Sequence, residues 1–177
     1  MYILLSVIAI VAVVIVAVLL LAAGKPDAFH LQRSTSTNAA AEKIFRYIND
    51  FHKWAEWSPW EKLDPSVKKT FTGAPSGRGA IYEWEGNGKV GKGRMEILEA
   101  SSPARVKIKL DFLKPFEGHN TAEFTMLGNG DSTQITWAME GPVSFGMKIF
   151  HVFMNMDKMI GKEFEAGLAN LKAIAEK

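Results

Sequence analysis

Residues 104–112 read ARVKIKLDF. Val106, Ile108, Leu110 and Phe112 alternate with Arg105, Lys107, Lys109 and Asp111, so one face is apolar and the other charged. Alternation with period two places successive side chains on opposite faces of a strand. A sheet that is wet on one side and buried on the other is an antiparallel one. The same reading extends in both directions. VKKTFTG (67–73), GAIYEWEG (79–86), GKGRMEILEA (91–100), HNTAEFTML (119–127) and STQITWAME (132–140) alternate likewise, separated by the turn-forming clusters GAPSGRG, GNG, SSP, KPFEG and GNGD. Six consecutive strands are predicted.

Outside this block the period changes. AFHLQRSTS (28–36) alternates as one further strand. TNAAAEKIFRYIND (37–50) opens on Thr37 and Asn38, both good N-cap residues, and its Ala41, Ile44, Phe45 and Ile48 recur at helical spacing. A second short helix over 51–57 carries Phe51, Trp54 and Trp57 and ends before Pro59. From about Ser144 to Lys177 the spacing of Ile149, Phe153, Met156, Ile160, Phe164, Leu168 and Leu171 predicts one long amphipathic helix. One strand, two short helices, six strands and a long helix make an α+β domain. A curved antiparallel sheet of about seven strands, wrapped on the C-terminal helix, is expected to leave a cavity beneath that helix.

The first 24 residues, MYILLSVIAIVAVVIVAVLLLAAG, contain no charged side chain. A run of this length can cross a bilayer core as a helix of about 20 residues. A cleaved signal would show a basic start and a shorter apolar stretch, and neither is present; a buried soluble helix is the remaining alternative. The reading is a single-pass membrane anchor over 1–24 followed by one domain over 25–177. Lys25, Arg33, Lys43 and Arg46 all follow the span, which favours a cytoplasmic domain by the positive-inside rule.

Several function classes find no support. The 21 Lys/Arg and 19 Asp/Glu leave a net charge of +2 with mixed signs, which gives no reason to propose nucleic acid as a partner. Without cysteine there is no disulfide, thiolate chemistry or Cys-ligated metal. His30, His52, His119 and His151 have no ligand spacing, so no metal or cofactor is expected. Gly86, Gly88 and Gly91 match G-x-G-x-x-G, but a strand follows where a dinucleotide fingerprint needs a helix, and the segment reads as a hairpin. Glu83 and Glu85 share a strand face that points outward.

Three stretches, TSTNAAAEKIFRYINDFHKWAEWSPW, GAIYEWEGNGKVGKGRMEI and the closing GLANLK, together with the element order β-αα-β6-α, resemble the START/birch-pollen-allergen (SRPBCC) superfamily and, within it, the polyketide cyclase/dehydrase-like family. The resemblance covers roughly 28–175. It implies the helix-grip fold, with an apolar pocket under the C-terminal helix, and relatives that bind lipids, sterols or hormones or close aromatic rings.

On that frame the inward faces define the candidate ligand-binding residues: Trp54, Trp57, Tyr82, Trp84, Met95, Leu110, Phe112, Asn120, Phe124, Trp137, Phe153, Met156 and Ile160. They are aromatic, methionine-rich and uncharged, as a small hydrophobic ligand requires. Trp54, Trp57 and Trp60 in WAEWSPW are spaced three apart. They suit a plug at one end of the cavity, a lid over it, or an aromatic belt at a membrane interface. Three functions follow: a membrane-anchored domain binding or transferring a lipid, isoprenoid or polyketide-like molecule; a cyclase or dehydrase in which Tyr82 or Asn120 orients substrate; and a filled-core interaction domain.

Overall fold

A computed structural model describes residues 2–129 and 131–177. Helix α1 (Tyr2–Ala23) leads into β1 (Ala28–Thr37), α2 (Ala41–Ile48) and two short 3-10 helices at Phe51–Glu56 and Pro59–Lys62. Six strands follow: β2 (Lys68–Gly73), β3 (Ala80–Glu85), β4 (Lys92–Ser101), β5 (Arg105–Lys114), β6 (Gly118–Asn129) and β7 (Ser132–Pro142). The chain closes with α3 (Phe145–Phe153) and α4 (Met156–Ala175).

The strands form one antiparallel sheet in the order β1-β7-β6-β5-β4-β3-β2. Every step from β2 to β7 joins sequence neighbours, as short turns dictate. Only β1 departs, pairing with β7 from Ala28↔Pro142 to Thr37↔Thr133. The alternation sets the register: Val106, Ile108, Phe124, Ile135 and Trp137 all lie on the inner face, each at most 3 % exposed. Register shifts between Lys92 and Gly93 and between Ile97 and Glu99 bend β4. The inner face is covered by α2 over β5 and β6, and by α4 over β1 and β7. Gly91 has φ +64, a left-handed conformation that glycine adopts without strain. It closes the β3–β4 turn, so GNGKVG is the expected hairpin.

Two helix expectations need correction. The predicted single helix from Ser144 is broken at Met154 and Asn155, both extended. Ser144 Oγ accepts from Met147 N, and Asn155 Oδ1 accepts from Lys158 N at 3.0 Å. Asn155 therefore caps a new helix instead of continuing the old one. The first helix also begins later than Thr37. Thr37 is the last residue of β1, and its hydroxyl donates to Glu176 Oε1 (2.9 Å). The threonine ties β1 to the end of the C-terminal helix, and the N-cap of α2 is Ala40, without a side-chain bond.

Candidate functional site

The register resolves the inner face into rows running across the strands. One row is Val106–Phe124–Trp137–Arg33, and the next is Ile97–Ile108–Ala122–Met139–Leu31. Further along lie Tyr82–Met95–Leu110–Asn120 and finally Trp84–Gly93–Phe112. Burial falls along this sequence. Val106, Phe124, Ile97 and Ile108 are fully buried; Tyr82 and Met95 nearly so; Leu110, Asn120, Trp84 and Phe112 only half. The sheet thus has a closed half and an open half.

The closed half is a lattice of aromatic rings. Trp137 stacks on Phe164 of α4 with centroids 4.0 Å apart and on Phe124 at 4.7 Å. Trp57 meets Trp137 and Phe124 edge-on, and Trp54 and Trp57 lie 4.9 Å apart. Trp54 Nε1 donates to Ile48 O (3.0 Å), and Trp57 Nε1 to Tyr47 O (3.3 Å). WAEWSPW therefore works as a plug. A 3-10 helix has three residues per turn, so the spacing of three brings Trp54 and Trp57 to one side. Both are buried, which corrects the interface-belt reading for them. Trp60 is half-buried against Trp137 and Phe164. Beneath α4, the space expected for a cavity is occupied by these rings.

In the open half, glycines leave room for neighbouring side chains to lie across the sheet. A Cβ on Gly93 would strike the Trp84 indole, and one on Gly141 the Asn120 amide. Trp84 lies across Gly93, meets Phe112 at 6.0 Å edge-on and donates from Nε1 to Val90 O (3.0 Å). Ile160 of α4 packs against the core, and Met156 is half-buried. Phe153 does not join them. It is 69 % exposed and faces away from the sheet, a correction to its place among the cavity residues.

The sequence reading missed one polar group. Glu61, in the second 3-10 helix, has a side chain only 9 % exposed, accepts the Tyr82 hydroxyl (2.9 Å) and pairs with Lys69. Burial, then the Glu61 charge, push the Tyr82 phenol far above its usual range, so it stays a protonated donor. Among the described residues no group of three His, Asp or Glu is placed to hold a metal ion. Two hollows lie at the margins of this face, the second against Phe71, the register partner of Tyr82. One, of about 560 Å³, is bordered by Asn38, Ala41, Pro103 and Met126; the other, of about 100 Å³, lies beside Phe71 and Pro75.

The family described as "Polyketide cyclase / dehydrase and lipid transport" matches residues 28–176. Among solved structures, protein CV1439 from Chromobacterium violaceum superposes with a TM-score of 0.58 at 16% identity, covering 86% of this chain and 99% of that one. The di-domain ARO/CYC protein BexL, from the BE-7585A biosynthetic pathway, gives 0.63 at 14% identity over 89% of this chain and 53% of its own. The Aha1 dimer of Colwellia psychrerythraea gives 0.59 at 11% identity, covering 84% and 96%. At such identities the likeness establishes the fold alone. No curated protein matches the chain.

Proposed function

The chain belongs to the polyketide cyclase/dehydrase and lipid transport family, and from that premise we propose that it binds a small hydrophobic molecule at the open half of its inner face while α1 anchors it in a membrane. The observation that carries the reading is the half-buried row of Trp84 and Phe112 over Gly93, beside Leu110 and Asn120. Apolar side chains with one convergent amide are the composition of a ligand site. Tyr82, Trp84, Met95, Leu110, Phe112 and Asn120 make its wall, and Met156 and Ile160 its roof. Trp54, Trp57, Phe124 and Trp137 back it as a rigid floor. The anchor rests on the length and apolarity of Tyr2–Ala23 and keeps the site close to membrane-dissolved ligands, raising their effective concentration. The charges after the span favour the cytoplasmic face.

The cyclase or dehydrase alternative draws on Glu61, a carboxylate at the edge of this wall. Its oxygens are already engaged by Tyr82 and Lys69, which makes the trio a bracing cluster before it is an acid–base pair. Binding without chemistry is the reading adopted.

The test is organic extraction and mass spectrometry of the full chain purified from membranes in mild detergent. A reproducible small apolar molecule is expected, and it should be lost in Leu110→Trp, which fills the open row. An empty wild-type protein that also takes up nothing from a panel of lipids and polyketides refutes the proposal.

A further inference from the structure

Helix α3 turns its aromatic rings outward and a lysine inward. Plotted at 100° per residue, Phe145, Ile149, Phe153 and Phe150 share one side, and Met147, His151, Lys148 and Val152 share the other. The exposed side is the aromatic one: Phe145 is 50 %, Phe150 36 % and Phe153 69 % exposed, while Lys148 is only 7 %. A buried lysine and a contiguous exposed apolar patch are both departures from the rule for a soluble surface.

On the buried side, Lys148 is paired by the segment that follows α1. Lys148 Nζ bonds Asp27 Oδ1 at 2.6 Å, and Val143 N donates to Asp27 O at 2.7 Å. His151 turns its Nε2 inward without a partner, and burial, then the nearby Lys25 charge, lower its pKa, so it is neutral in place. Helix α1 packs against α3, and Ala22, in the last turn of α1, is fully buried. An α1 of 22 residues measures about 33 Å, close to a hydrocarbon core of about 30 Å. Whatever packs against its last turn lies at the depth of the headgroups.

Resting on the anchor reading above, we propose that α3 lies in the plane of the same bilayer that α1 crosses, with Phe145, Phe150 and Phe153 immersed at the headgroup–acyl boundary. A helix of nine residues is far too short to span, but an exposed aromatic face is what an in-plane segment uses. The β5–β6 turn lies at the same end of the sheet, since Thr121 pairs with Glu140 just before β7 runs into α3. It exposes Leu113 at 46 % and Phe116 at 63 %. The open row ends at this edge, so the domain rests with its open half toward lipid and takes its ligand from the bilayer.

The chain has no cysteine, so single cysteines label uniquely. Full-length Phe153→Cys, Ile10→Cys and Lys43→Cys, each carrying an environment-sensitive fluorophore, are reconstituted into phosphatidylcholine vesicles with nitroxide lipids. The expected result is strong quenching of position 10 by deep nitroxides and of position 153 by shallow ones, several-fold above position 43. Quenching of position 153 by aqueous iodide as readily as position 43, with position 10 still lipid-quenched, overturns the proposal and leaves the anchor standing. Shielding of position 153 from both quenchers also overturns it, in favour of a second copy covering the face. Loss of lipid quenching at both 10 and 153 overturns the anchor and, with it, the docking of α3.

Discussion

The two halves of the inner face are made by the same strands and yet differ in kind. The half under α2 and the C-terminal part of α4 is solid: Trp54, Trp57, Phe124, Trp137 and Phe164 leave each other no freedom. The half toward α1 and α3 carries Trp84, Leu110, Phe112 and Asn120 only half-covered, over glycines. The difference does not arise in the strands, whose alternation runs through both. It arises in what is laid on them. One end receives three helical segments rich in aromatic rings, while α3, at the other end, turns its own rings outward.

The largest test sets truncations in the two halves against each other. Trp57→Ala should cost about 3–5 kcal/mol, the range for a large buried aromatic. Phe112→Ala should cost about 1–2 kcal/mol, because part of its surface is already in contact with solvent. Both are measured by denaturant unfolding of the full chain in detergent. Equal losses would mean that the open half is as tightly packed as the closed one.

A smaller contrast uses two glycines. A Cβ at Gly167 would come within 2.8 Å of Trp137 Cζ3 and 3.3 Å of Pro59 Cδ. Overpacking of about 1–3 kcal/mol outweighs the roughly 1 kcal/mol that alanine offers a helix, so Gly167→Ala destabilises. At Gly146, in α3, nothing lies within 4 Å, and Gly146→Ala should stabilise by about 0.5–1 kcal/mol. Thermal midpoints that rise for both would show slack in the aromatic lattice.

The smallest effect is pH. At the open end, on the outer face of the sheet, His119 Nδ1 lies 2.8 Å from Asp111 Oδ1. The hydrogen bond to Asp111 raises the His119 pKa. Burial opposes ionisation of Asp111, but bonds from His119 and Lys109 outweigh it and hold its carboxyl below the usual range. The histidine contribution is complete below its unfolded value near 6.5 and fades as pH rises through the higher folded value. The aspartate contribution is complete above about 4 and fades as pH falls through its lowered value. Unfolding midpoints should therefore decline on the alkaline side, and His119→Asn should remove that decline. An unchanged slope would detach the open end from this pair.

The sheet was legible because alternation is a property of adjacent residues. All seven strands fall within a few residues of where Val106–Phe112 and its neighbours place them. The break in the C-terminal helix was not legible from periodicity, since Phe153 and Met156 keep helical spacing across it; Asn155 was the local signal, and a cap outweighs spacing. Glu61 could not be found in EKLD, because its burial depends on Tyr82, 21 residues away. The ring face of α3 was visible as a pattern, but which side of it meets the protein is decided by α1 and Asp27. Sequence reading takes apolar to mean inward, and Phe145, Phe150 and Phe153 are exposed instead.

The position of β1 at the far edge, beside β7, has a consequence for how the chain is made. Ala28 comes soon after α1, but its pairing partner Pro142 is synthesised more than a hundred residues later. Until then β1 has no neighbour, while β2 to β7 can zip up turn by turn. Such non-local closure is slow and leaves an unpaired edge exposed. The last strand to be made is thus the one that closes the first, and Glu176 seals that seam by accepting from Thr37 and Asn38. The seam that forms last is thus reinforced from the end of the last helix.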